Sequence, residues 1–153
     1  MDPAAPGSLV EGPTGGFVAF PPPSLRLPMP PADCPFCSLA THRVVWSGDL
    51  AFALRDGYPV SRGHTLVVTR RHVATWFDAS PEEQQGIWQG VEAVKRDLDG
   101  LLEPDGYNVG FNAGRAAGQT VMHLHVHVIP RFDGDVPDPR GGVRGVIAAR
   151  QRY

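Results

Sequence analysis

The segment His123-Leu124-His125-Val126-His127-Val128-Ile129-Pro130 constrains this chain more than any other, because imidazole and aliphatic side chains alternate in it with a period of two. In a β-strand alternate residues share a face. His123, His125 and His127 would then stand about 6.5–7 Å apart on one side, while Leu124, Val126 and Val128 fill the other. In an α-helix His125 would point away from the other two. The pattern therefore predicts a central strand over residues 121–130, ended by Pro130. Spacing alone leaves three uses open: a solvated polar face, three ligands of one metal, or a reactive site. A solvated face has no need of three of the six histidines in one register. A three-histidine metal site would need a further carboxylate or a distant histidine, and would leave the only two cysteines without a role.

Those cysteines sit together in Cys34-Pro35-Phe36-Cys37. This is a poor disulfide framework and a common way to present two thiolates to one cation. A redox pair of the thioredoxin kind would need a strand before the motif, and the prolines preceding Cys34 deny it. The spacing points to a metal and a reducing, cytoplasmic setting.

The chain has 153 residues, enough for one domain with a real core. Its formal charge of −2, with both signs mixed, leaves no basic face for a polymeric nucleic acid; a small anionic ligand held by local donors remains open. Met1-Asp2-Pro3 lacks a positive leader region, and no apolar run approaches the roughly 20 residues of a bilayer span, so no membrane association is expected. Residues 1–32 are rich in Pro, Gly and Ala and read as an extended tail, with Phe17-Val18-Ala19-Phe20 as its one apolar stretch. Residues 33–132 form the domain and 133–153 a C-terminal tail packing on or near the site, with a turn at Asp138-Pro139-Arg140-Gly141-Gly142.

Within the domain, residues 44–46, 50–54 and 65–68 read as antiparallel strands, and residues 107–112 as another. Ser80-Pro81-Glu82-Glu83 supplies an N-cap, a proline at the first helical position and a reciprocal glutamate, so a long helix should start there and run to about Leu101. Its stripe of Ile87, Val91, Val94, Leu98 and Leu101 should pack on the sheet. Trp76 and Trp88 are expected in the core, and His42 at the surface. Residues 113–119 form a glycine-bearing loop leading into the histidine strand.

Gly118-Gln119-Thr120-Val121-Met122-His123-Leu124-His125-Val126-His127 resembles the signature of the histidine triad (HIT) family. The likeness extends from about Cys34 to Arg131. It implies an α+β HIT-like fold, an antiparallel sheet with one long and one short helix, and a homodimer. It further implies a nucleotide hydrolase or transferase acting on a small purine nucleotide, such as a dinucleoside polyphosphate or nucleoside phosphoramidate. In such a reaction His125 attacks the α-phosphorus and a nucleotidyl-histidine intermediate yields a nucleoside monophosphate such as AMP. Imidazole suits this, being nucleophilic when neutral and readily expelled. For Nε2 to attack, Nδ1 should donate to a backbone carbonyl.

By the same resemblance His127 donates to phosphate oxygens or protonates the departing group. Gln119, Thr120 and Asn112 donate to the phosphate, Asp56 accepts the ribose hydroxyls, and His64 supports His125. Cys34 and Cys37, with His72 and His123, would hold a structural zinc and no organic cofactor would be needed. Arg140 and Arg144 are candidates for distal phosphates. Two alternatives stay in view, a nucleotide-binding adaptor with little turnover and a metalloenzyme using the three histidines directly.

Overall fold

A computed structural model describes residues 33–38 and 43–152. The tail of residues 1–32, its Phe17–Phe20 stretch and His42 lie outside them. Five strands form one antiparallel sheet: β1 (Val44–Ser47), β2 (Ala51–Arg55), β3 (Thr65–Thr69), β4 (Gly106–Gly110) and β5 (His125–Arg131), in spatial order β1-β2-β3-β5-β4. The single α-helix among the described residues, α1 (Pro81–Leu102), covers one face; shorter 3₁₀ segments occupy Trp76–Asp78, Arg115–Ala117 and Gly142–Arg150. No helix among the described residues is long and apolar enough to cross a membrane.

α1 begins where the sequence predicts. Glu83 N–H donates to Ser80 Oγ at 3.3 Å, and Ser80 N–H donates to Glu83 Oε2 at 2.8 Å, so two helix-end donors are satisfied reciprocally. The Arg71 guanidinium grips both Glu83 oxygens at 2.7 Å and holds that carboxyl below its ordinary pKa, fixing the residue next to His72 against the start of the helix. Ile87, Val91, Val94 and Leu98 pack with Ala51, Ala53, Val67, Val126 and Val128 into the main core. Helix and sheet approach so closely that a Cβ on Gly90 would meet Val67 Cγ1 at 2.6 Å and the Trp46 ring at 2.7 Å.

Several expectations need correcting. Leu101 is 64% exposed, and Leu102 takes its place in the core. Leu102 lies over Gly63, where the chain enters β3, so the last helical turn packs one residue later than the stripe suggested. Trp88 is 47% exposed and meets edge-on the ring of Trp76, which itself stacks on Phe111. β5 starts at His125, because Leu124 N–H donates to Val73 O at 2.7 Å, outside the ladder. It also runs through Pro130 to Arg131. By that point β3 has ended, and the Pro130 carbonyl accepts from Ser61 Oγ at 2.7 Å, so the missing N–H costs no ladder bond. The C-terminal tail carries a 3₁₀ segment, Gly142–Arg150, broken at Ile147.

Candidate active site and metal centre

The β3–β5 register places Val68 beside His125 and Leu66 beside His127. These four side chains share the sheet face opposite α1, where Phe52, Leu54, Leu66 and Val68 form a second apolar cluster. Alternation in β5 therefore does what the sequence implied for His125 and His127. His123 differs: it precedes the strand, and its side chain leaves that row.

His123 is fully buried and joins Cys34, Cys37 and His72, whose donor atoms all lie within 4.8 Å of one another. Cys34 Sγ is 3.4 Å from His123 Nδ1, and Cys37 Sγ is 3.4 Å from His72 Nδ1 and 3.6 Å from His123 Nδ1. A tetrahedral zinc with ordinary Zn–S and Zn–N bonds sets sulfur and nitrogen about 3.6 Å apart, so this donor set is spaced for such a cation. Both sulfurs are free thiols. Burial, reinforced by the Cys34 sulfur, pushes the Cys37 thiol up to about 11, so near neutral pH that thiol gives up its proton only to a cation. His123 Nε2 donates to Thr69 O at 2.8 Å, which leaves Nδ1 as the lone-pair nitrogen facing the sulfurs. Burial lowers this imidazole to about 4, so it stays neutral as a ligand must.

His125, only 8% exposed, is held in the opposite sense. Its Nδ1 donates to the His123 carbonyl at 2.7 Å, and Nε2 carries the lone pair. The three triad imidazoles thus go to three different partners: a thiol cluster, a main-chain carbonyl and, for His127, another histidine. One metal bound by all three is excluded by that arrangement.

His127 Nδ1 lies 3.0 Å from His64 Nε2. This corrects the expectation for His64, which is buried and supports His127, not His125. His64 Nδ1 has two neighbours, the Val60 N–H at 3.3 Å and Asp56 Oδ2 at 3.4 Å. Asp56, His64 and His127 also place donors within 4.8 Å of one another. The 3.0 Å between the two ring nitrogens is a hydrogen-bond distance, and we read the group as a relay. Burial depresses His127 to about 4, helped by the neighbouring His125 and His64 and opposed by Asp56. His64 is lowered as well, again by burial and against Asp56. Both rings are neutral at pH 7.

The loop before β5 turns through Gly118 at φ +87°, a left-handed conformation that favours glycine. Gln119 is fully occupied in holding it. Its Nε2 donates to Ala74 O at 2.6 Å and Val121 O at 3.0 Å, while Oε1 accepts from Gly114 N–H at 2.8 Å. With both amide protons used, Gln119 is a loop staple and not a phosphate donor. Thr120 is exposed and has no side-chain partner among the described residues. The Asn112 amide abuts the loop, 3.9 Å from where a Gly118 Cβ would stand. Asn112 and Thr120 therefore keep free donors, and Gln119 does not. In the tail, Arg140 is tied to Asp138 at 2.9 Å through two nitrogens, and Arg144 donates to Gln151 O and Arg150 O. Tail contacts run to Arg131 and Asn108, at the end of β5 away from His125.

Phe36 was missed in the sequence. From between the two cysteines its ring reaches 5.2 Å from His125 and 5.7 Å from His123, and it packs on the apolar cluster of Phe52, Leu54, Leu66 and Val68. A metal pinning Cys34 and Cys37 to His123 would bring the intervening residue onto the histidine strand, and that was the signal available.

The HIT domain family matches residues 39–134, well over half of the chain. The chain belongs to the HIT family. It is 38% identical over 111 residues to an uncharacterized HIT-like protein of Methanocaldococcus jannaschii, covering 67% of this chain and 81% of that one. It is also 38% identical over 93 residues to a protein of Mycobacterium tuberculosis named AP-4-A phosphorylase, covering 60% of this chain and 48% of that HIT relative, about half its length. Among solved structures it matches a Zn-bound histidine triad family protein from Mycobacterium smegmatis at 33% identity and a TM-score of 0.63, covering 76% of this chain and 92% of that one. The HIT resemblance in the histidine strand and the α+β HIT-like fold are thereby borne out.

Proposed function

We propose that this HIT protein is a nucleotide hydrolase or transferase in which His125 Nε2 attacks the α-phosphorus of a dinucleoside polyphosphate or nucleoside phosphoramidate, and water releases the nucleoside monophosphate from the nucleotidyl-histidine. The observation that carries the reading is the hydrogen bond from His125 Nδ1 to the His123 carbonyl, which commits that nitrogen as a donor and leaves Nε2 as the one available for attack. Asn112, Thr120 and His127 supply donors for the phosphate oxygens, and Asp56 accepts the ribose hydroxyls. Phe36 and the apolar cluster beside His125 offer a flat, greasy surface suited to a purine.

Because burial keeps His127 neutral, it serves better as a hydrogen-bond donor than as an acid. That favours leaving groups that depart as anions, as a polyphosphate does, over an amine that must be protonated. Cys34, Cys37, His72 and His123 would hold a structural zinc whose chemistry is to tie the start of the domain to the foot of the catalytic strand. Retained thiols suit a cytoplasmic setting. Among the described residues β4 stands at an edge of the sheet, which supports a homodimer formed by pairing with a second copy.

The test is an intact-mass and product assay of wild type and His125→Asn with diadenosine tetraphosphate and adenosine phosphoramidate. Wild type should release AMP and carry an adenylyl adduct when quenched, and the variant should do neither. AMP binding without turnover of either substrate would overturn the enzymatic reading in favour of a nucleotide-binding adaptor.

A further inference from the structure

Strand β3 ends at Thr69, and the chain beyond it leads to the metal cluster without a ladder to hold it. Arg70 is fastened: its N–H donates to Leu50 O at 2.9 Å and its Nε to Gly48 O at 2.8 Å. On the far side, Val73 O accepts the Leu124 N–H at 2.7 Å. Between these anchors stand Arg71 and His72, neither of which donates its main-chain N–H to another backbone group among the described residues. Yet this dipeptide serves both imidazoles of the cluster. His72 supplies one ring, with Nδ1 3.4 Å from Cys37 Sγ, and the Arg71 carbonyl joins that of Thr69 as a main-chain acceptor beside the His123 ring.

What holds Arg71 is its side chain. Nε and Nη2 donate to Glu83 Oε1 and Oε2, each at 2.7 Å, and such a fork fixes the plane of the guanidinium as well as its place. Glu83 is only 6% exposed and is itself immobilised, because Oε2 also accepts the Ser80 N–H at 2.8 Å in the first turn of α1. The Arg71 side chain is 43% open, and an ion pair so exposed on one side adds little net stability. Its use lies in geometry: through it a helix packed along the sheet reaches the metal cluster.

We propose that Arg71 and Glu83 are positioning residues for the metal centre: the fork ties the main chain at Arg71 and His72 to the start of α1, and so keeps His72 and His123 at the spacing a tetrahedral cation needs. The inference rests on the reading of Cys34, Cys37, His72 and His123 as its ligands. Neither Arg71 nor Glu83 touches the cation. Each acts through the imidazoles, by sparing the cation the cost of ordering them. The same link makes the helix start part of the support for His125, since the carbonyl that receives His125 Nδ1–H belongs to His123.

The experiment is a zinc titration of the whole protein against a chromophoric chelator, with Co²⁺ absorption to report the ligand set and thermal melts at saturating zinc to report stability. Arg71→Gln and Glu83→Gln should each weaken zinc about tenfold, while the cobalt spectrum keeps its thiolate band and its tetrahedral intensity. Removing both partners should cost no more than removing either, because the two act as one link. Ser80→Ala takes a cap from the other side of Glu83 without touching Arg71, so it should lower the melting temperature and leave zinc affinity as in wild type. Arg71→Lys keeps the charge but loses the fork, should weaken zinc as the Gln variants do, and decides the matter if either of those fails to fold. Unchanged zinc affinity in the Arg71 and Glu83 variants, or an equal loss in Ser80→Ala, would overturn this inference alone. Failure of the wild type to bind zinc would overturn the metal reading and this inference with it.

Discussion

His123 and His125 stand two residues apart and present opposite nitrogens. At His123 the Thr69 carbonyl takes Nε2–H and Nδ1 is offered to two thiols; at His125 the His123 carbonyl takes Nδ1–H and Nε2 is offered to the site. One residue type is thereby suited to the proposed ligand role or to the proposed nucleophile role, according to which ring nitrogen a main-chain oxygen captures. The surroundings follow suit. His123 is wholly buried among sulfurs, whereas His125 lies under Phe36 beside a second histidine.

The sharpest way to break this comparison is to remove each imidazole. His125→Asn should lower turnover by on the order of 10⁴-fold or more with little change in melting temperature, measured by product release and calorimetry. His123→Ala should instead cost metal and stability: stoichiometry falls to zero by elemental analysis, and the denaturant midpoint drops with a loss of several kcal/mol. If His125→Ala also lost the metal, the division of labour would be wrong. His127→Ala, which deletes a donor but not the nucleophile, should lower kcat about 10²–10³-fold, roughly 3–4 kcal/mol.

A pH series sharpens the same contrast. His127 falls from the ordinary 6.5 to about 4 in the folded protein, so the unfolded chain binds the extra proton first as pH drops. Stability from this group is therefore full above about 6.5, declines as pH falls toward 4, and is flat below, a loss of roughly 3 kcal/mol. Denaturant melts of His127→Asn should show a shallower slope across that window. Gly90→Ala, remote from both histidines, should cost about 1–3 kcal/mol through crowding against Val67 and Trp46, with metal content unchanged.

What the sequence made legible was whatever depends on local repetition. The alternation of His125 to Val128 and the capping box at Ser80 reach the fold unaltered, because strand pleat and helix end are decided within a few residues. The start of β5 was not legible, because Leu124 turns away to Val73, more than fifty residues earlier. The same holds for Gln119, whose consumption depends on Ala74 O, and for His64, whose partner is 63 residues away. In the metal cluster Cys34 and Cys37 were readable from spacing, while His72 and His123 entered only by family likeness, since nothing local announces them.

The acceptor that orients His125, the proposed nucleophile, is the carbonyl oxygen of His123, a main-chain atom. A scan of amino-acid replacements at position 123 can therefore expel a cation and loosen the domain, yet never delete the atom that orients His125. Its contribution is silent to ordinary genetics and would surface only under backbone chemistry, such as an ester in place of the amide between residues 123 and 124, which weakens the His123 carbonyl as an acceptor and also removes the Leu124 N–H that donates to Val73 O.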